Sequence, residues 1–138
     1  MLFRSSARTP FDRNRALWGG FVVDVQGARV YFAGDTAYGP FFQDIAQRLG
    51  PIDLALIPVG AYEPRWFMQA VHVNPAEAVQ AHIDLGRPES LGMHFGTFQL
   101  TTEGIDEPLR ALDEACRAGG VPPGRFRALE FGESLLLP

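Results

Sequence analysis

Three side chains in this 138-residue sequence have the type and setting of reactive groups: Asp35, His94 and His72. Asp35 stands in Gly34-Asp35-Thr36, directly after the apolar run Val30 to Ala33, and His94 opens His94-Phe95-Gly96-Thr97 after a second apolar run. A polar group placed where such a run ends sits at the tip of a strand. In sheets of parallel strands, ligands gather beyond the carboxyl ends. Glycine near each group removes side-chain bulk, so that backbone or ligand can come close. A carboxylate can bridge two metal ions and a neutral imidazole can bind one, which makes Asp35 and His94 candidate metal ligands. Each also has a plainer reading. An aspartate in Gly-Asp-Thr often forms a turn by bonding its own backbone, and a histidine after a strand is often just a satisfied polar residue.

His72 lies just before Asn74-Pro75. It could polarise or protonate a substrate oxygen, as a catalytic residue, or cap the helix that follows it through its ring. The segment Gly60 to Pro75 places Tyr62, Trp66, Phe67 and Met68 around Glu63, Arg65 and His72. Large apolar residues in a connecting segment line pockets, and Met and Trp suit an aliphatic ligand, so these four are candidate substrate-binding residues. The competing reading is that they plug the end of the sheet. His82, between Val79 and Ile83, reads as a half-buried helix residue with no role.

These groups need elements to hold them. Residues 1–16 are polar and arginine-rich, the pattern of an arm or loop; Trp18 to Val25 and Ala28 to Ala33, joined by Gln26-Gly27, predict a hairpin. Phe41, Phe42, Ile45 and Leu49 recur at helical spacing between Pro40 and Gly50-Pro51. Ile52 to Val59 is a short, nearly continuous apolar run, as a strand buried on both faces shows. Asn74-Pro75-Ala76-Glu77 supplies a capping box and a first-turn proline ahead of a second helix. Glu89 to Phe95 predicts a strand, Pro108 to Ala118 a helix with Leu109, Leu112 and Cys116 inward, and Phe126 to Leu137 terminal strands. Strands alternating with helices give an α/β class, a single domain over residues 1–138.

Hydrophobic residues make up 46% and charged residues 20%, the profile of a globular chain. All twelve basic residues are arginine and the net charge is −4, which disfavours a nucleic-acid partner. The single cysteine, Cys116, allows no internal disulfide and no cysteine zinc cluster, so an intracellular, cytoplasmic setting is expected. No run approaches the roughly 20 apolar residues of a membrane span. Phosphate-binding glycine loops and the Gly-x-Ser-x-Gly elbow are absent from the sequence.

The blocks FDRNRALWGGF, YFAGDTAYG, GPIDLALIPVGAYEPRWFM, HVNPAEAV and MHFGTFQLTTE resemble, in order and spacing, the C-terminal half of metal-dependent hydrolases of the metallo-β-lactamase fold. The branch they resemble is that of N-acyl-phosphatidylethanolamine phospholipase D and its bacterial relatives. The resemblance implies half of an αββα sandwich, a mixed sheet with flanking helices. It implies that Asp35 bridges two zinc ions, that His94 binds one of them, and that His72 lies near the substrate. The implied reaction is phosphodiester hydrolysis of a lipid-like substrate by a metal-activated hydroxide. On this reading the strand Val30 to Ala33 is a rigid rail for Asp35, with Thr36 or nearby backbone holding its second oxygen.

The pattern also breaks. That family's site needs a His-x-His-x-Asp-His motif and a further histidine, and this sequence, whose three histidines are His72, His82 and His94, has neither; it reads Phe3-Arg4-Ser5-Ser6 where the further one is expected. Catalytic zinc usually takes three protein ligands, so two alone predict weak binding. Half a sandwich also predicts a bare inner sheet face, covered by a homodimer partner or by a complementary N-terminal half. The alternative function is a non-catalytic module, truncated or degenerate, used in assembly or binding.

Overall fold

The computed structural model describes residues 19–137 in full, together with the backbone of two short strands, β1 (Arg4–Ser6) and β2 (Ala16–Trp18), which pair antiparallel. The arm expected over residues 1–16 therefore contains a strand; the rest of it, and most of the FDRNR block, lies outside the described residues. The main sheet has the order β3-β4-β5-β6-β7, with β3 at Phe21–Val25, β4 at Ala28–Phe32, β5 at Leu54–Pro58, β6 at Glu89–Met93 and β7 at Phe126–Ala128. β3 and β4 form the antiparallel hairpin, and β4 to β7 run parallel, so the sheet is mixed.

Helices α1 (Phe41–Leu49), α3 (Pro75–Asp84) and α4 (Glu107–Ala118) fill the crossovers, and a single turn, α2 (Arg65–Met68), follows β5. α3 starts as its sequence dictates. The Asn74 side chain accepts the Glu77 N–H at 2.8 Å while the Glu77 carboxylate accepts the Asn74 N–H at 3.0 Å. In α4, Leu112 is buried and Cys116 packs against the core, but Leu109 is exposed, because the inward face follows Pro108, Leu112 and Cys116 at four-residue steps. The terminal strand is shorter than expected: after Ala128 the chain turns at Gly132, φ +87°, and the Glu133 carboxylate closes the turn on the Glu130 N–H and on Arg127.

The two faces of the sheet differ. Register places Tyr31, Ala55, Ser90 and Phe126 side by side, and with Ile57 and Val59 they meet Phe42, Val79 and Leu112 of the helices in one apolar core. Burial of each large member contributes about 1.5–3 kcal/mol. The opposite face carries Phe21, Val23, Val25 and Phe32, and these remain 40–59% exposed. An open apolar cavity of about 600 Å³ lies at its His94 end, lined by residues including Leu91, Met93, Phe98 and Phe131. This face is thus exposed along the hairpin, whereas Leu54 and Leu91, further in on the same face, are buried.

Candidate functional site

Three loops leave the carboxyl ends of adjacent parallel strands, residues 33–40 after β4, 59–74 after β5 and 94–106 after β6. Each delivers one polar group to a common point. Asp35, His72 and His94 each offer a donor atom, and the three donors lie within 4.8 Å of one another. His94 Nε2 stands 3.5 Å from Asp35 Oδ1, and the two imidazole rings are 5.1 Å apart. The structure brings the two strand-tip groups, Asp35 and His94, together with His72.

Backbone conformation aims the groups. Gly34, φ +66°, turns the chain at the end of β4, and His94 itself adopts a left-handed φ of +62°, a region few non-glycine residues occupy and one associated with functional sites. Gly60 lies directly against the His94 carbonyl oxygen, where a Cβ has no room. The first loop is laced to the second by the Val73 N–H donating to the Thr36 carbonyl at 2.8 Å. The Thr36 hydroxyl donates to the Ala37 carbonyl at 2.9 Å, so it does not hold the second Asp35 oxygen as expected; it fixes the loop instead.

The second loop is organised by Arg65, a residue that the sequence reading gave no role. One guanidinium nitrogen donates to the Tyr62 carbonyl at 3.2 Å and to the His72 carbonyl at 2.9 Å, and the other meets Glu77 at 2.8 Å. Glu63 accepts the Arg65 N–H at 2.8 Å. The helix cap is made by Asn74, which removes capping as a role for the His72 ring. His72 Nδ1 is buried without a hydrogen-bond partner. Burial pushes the His72 pKa below the ordinary imidazole value, outweighing the opposite pull of Asp35, so the ring is neutral at neutral pH. A neutral imidazole with an unpartnered nitrogen beside a carboxylate and a second imidazole is a donor set that suits a divalent cation.

A cleft of about 590 Å³ opens at this point, lined by Asp35, His72 and His94 with Phe67, Met68, Leu100 and Thr101. Phe67 and Met68 thus border the cleft. Tyr62 is buried beside it, its hydroxyl 3.3 Å from Glu107, where burial and neighbouring carboxylates raise its pKa. Trp66 does not line the cleft and is 80% exposed.

His82 is not the half-buried surface residue expected. Its ring is fully buried, 5.5 Å from the Phe126 ring, with Nδ1 2.8 Å from Ser90 Oγ. Strands β6 and β7 close over it, which helical periodicity alone does not reveal.

Residues 2–95 match the family model of the beta-lactamase superfamily domain. Over 132 residues the chain is 46% identical to N-acyl-phosphatidylethanolamine-hydrolyzing phospholipase D 1 of Caenorhabditis elegans, covering 94% of this chain and 37% of that protein. It is 33% identical to a UPF0173 metal-dependent hydrolase of Methanoculleus marisnigri, over 82% of this chain and 46% of that one. The crystal structure of the metallo-beta-lactamase fold protein YhfI from Bacillus subtilis superposes with a TM-score of 0.62 at 19% identity, covering 94% of this chain and 45% of YhfI. The chain thus spans less than half the length of these relatives. No helix among the described residues is long and apolar enough to cross a membrane. The match over residues 2–95, the mixed sheet and the flanking helices together show that the chain belongs to the beta-lactamase superfamily, as the part of the metallo-β-lactamase fold that carries Asp35, His72 and His94.

Proposed function

We propose that this chain supplies half of the active site of a zinc-dependent phosphodiesterase acting on a lipid-like diester, in the manner named for its phospholipase D relative. The observation that carries the reading is the convergence of Asp35, His72 and His94 from the three loops that follow β4, β5 and β6. Asp35 and His94 hold metal, and His72 positions a substrate oxygen through its ring. Metal bound there supplies Lewis acidity and lowers the pKa of a water, which gives a nucleophile at neutral pH. The chain's own contribution is to fix the donors, to keep His72 neutral and able to donate one N–H, and to flank the substrate with Phe67 and Met68. The apolar wall of the cleft suits an acyl or glyceryl portion.

A second placement of His72, as a third donor to the same ion, is favoured by the 4.8 Å limit that it shares with the other two. Cobalt titration separates the two: His72→Ala changes the visible absorption of bound Co²⁺ only if the imidazole is a ligand. The exposed apolar hairpin side of the sheet supports a complementary N-terminal half, bearing the remaining metal ligands, as its partner, with a homodimer as the other arrangement. For the chain alone, calorimetry is expected to show weak Zn²⁺ binding that Asp35→Ala and His94→Ala abolish. Diesterase activity is expected to depend on added complementary half. Strong diester hydrolysis that survives both substitutions would falsify the proposal, and a metal-free, inactive dimer would favour the assembly module.

A further inference from the structure

Glu103 is an acidic residue in the loop after β6, yet it is only 7% exposed. Its two carboxylate oxygens accept two successive backbone N–H groups, Tyr62 and Glu63, each at 3.1 Å, across 41 and 40 residues of sequence. Burial alone raises the pKa of such a carboxyl, but hydrogen bonds from the Thr101 hydroxyl and from the backbone N–H groups of Glu103, Glu63 and Tyr62 outweigh it and hold Glu103 below the usual carboxylate range. Glu103 is therefore an ionised, enclosed acceptor with a full set of donors, the form in which a charged hydrogen bond is strongest.

The segment it grips lies between the two imidazoles: it precedes His72 in the same loop and packs against the backbone of His94 in the next. Toward His94, Gly60 packs its backbone on the His94 carbonyl, two residues before Tyr62. Toward His72, the Tyr62 carbonyl accepts the same Arg65 nitrogen that holds the His72 carbonyl. Ala61, between them, sits at a left-handed φ of +59°, a conformation that needs support from its surroundings. We infer that Glu103 is a positioning residue, whose carboxylate pins the 60–63 segment and thereby sets the separation of His72 and His94. The inference rests on the proposed metal site for its functional meaning, but the clamp can be read independently.

The test uses the 138-residue chain and three variants. Glu103→Gln keeps the shape but leaves one backbone N–H facing an amide NH₂. Glu103→Asp keeps the charge at shorter reach, and Thr101→Val removes only the hydroxyl that supports the carboxylate. Titration with Co²⁺ and Zn²⁺ is expected to show about tenfold weaker binding for Glu103→Gln, as for other groups that orient metal ligands, with partial recovery in Glu103→Asp and a smaller loss in Thr101→Val. The Tyr62 and Glu63 amide protons are expected to move upfield and exchange faster in Glu103→Gln. Unchanged metal affinity in Glu103→Gln and Thr101→Val, with the wild type binding metal, overturns the inference and leaves the site reading intact. If the wild type binds no metal, the site reading fails instead. The clamp is then judged on the ring signals of His72 and His94, which must shift in the variants while those of His82 stay put; unmoved rings overturn it. If Glu103→Gln does not fold, Thr101→Val decides by the same readouts.

Discussion

His82 and the pair His72/His94 are all packed beside polar partners, but one ring is sealed into the core and the other two face an open cleft. His82 bonds a hydroxyl and sits under Phe126, with its Nε2 buried and unpartnered. His72 and His94 converge on a carboxylate at a wall of loops. Burial depresses the pKa of His82 and of His72 alike, so the electrostatics do not separate a structural histidine from a functional one. Access and the chemistry of the partner do. A ring that neither solvent nor ligand can reach has no reaction to take part in, however perturbed its titration.

The comparison breaks most visibly at the open pair. Asp35→Ala or His94→Ala removes one of the proposed donors, and at least about 100-fold weaker divalent-metal binding is expected by calorimetry, on the scale by which tenfold is about 1.4 kcal/mol. His82→Gln, by contrast, is expected to leave metal binding unchanged. Equal losses from the closed and open sites would remove the distinction.

The closed site should instead govern acid stability. Burial, aided by Arg87 and Arg125, lowers the His82 pKa to about 4 from an ordinary 6.5. As pH falls below 6.5 the unfolded chain takes up this proton before the folded one does, so folding is progressively destabilised until pH reaches about 4. Above pH 6.5 both states hold the ring neutral, and this residue then contributes no pH dependence. The loss across the window is on the order of 3 kcal/mol. Denaturant unfolding of wild type and His82→Gln at a series of pH values should show the two curves converging as pH drops from 6.5 to 4. Parallel curves would mean that the ring titrates normally.

What the sequence disclosed about these sites divides along the range of the interactions. The strand runs, the α3 capping box and the placement of Asp35 and His94 at strand ends were legible because each is written in consecutive residues. The burial of His82 was not, since Ser90 and Phe126, which enclose it, lie on strands that periodicity within α3 cannot see. Arg65 and Glu103 were hidden for the same reason: their partners are chosen by where loops meet after folding, and a buried glutamate in Thr101-Thr102-Glu103-Gly104 looks like any solvated loop residue. The apolar Leu135 to Leu137 suggested a strand that the Glu133-closed turn does not continue. Trp66, read as a pocket residue from its type, points into solvent.

Ser90→Ala sharpens the contrast on a smaller scale. It removes the hydroxyl at 2.8 Å from His82 Nδ1, which leaves a second ring nitrogen unpartnered in a sealed space. A stability loss of about 1–2 kcal/mol is expected, read as a lower denaturant midpoint at unchanged slope, with metal affinity untouched.

The smallest effect on stability is expected from Trp66→Ala. With 80% of its surface exposed, the ring contributes little to the core, and the change should fall within about 0.5 kcal/mol. The ring nevertheless packs 5.7 Å from Phe67, which lines the cleft. If the open site takes a lipid-like diester, the substitution should raise KM for a long-chain substrate more than for a short soluble diester, with kcat little changed, because Trp66 buttresses Phe67, the cleft-lining ring that meets the tail and not the reacting phosphorus. An equal effect on both substrates would place Trp66 outside substrate recognition and confine the cleft's apolar contacts to Phe67, Met68 and Leu100.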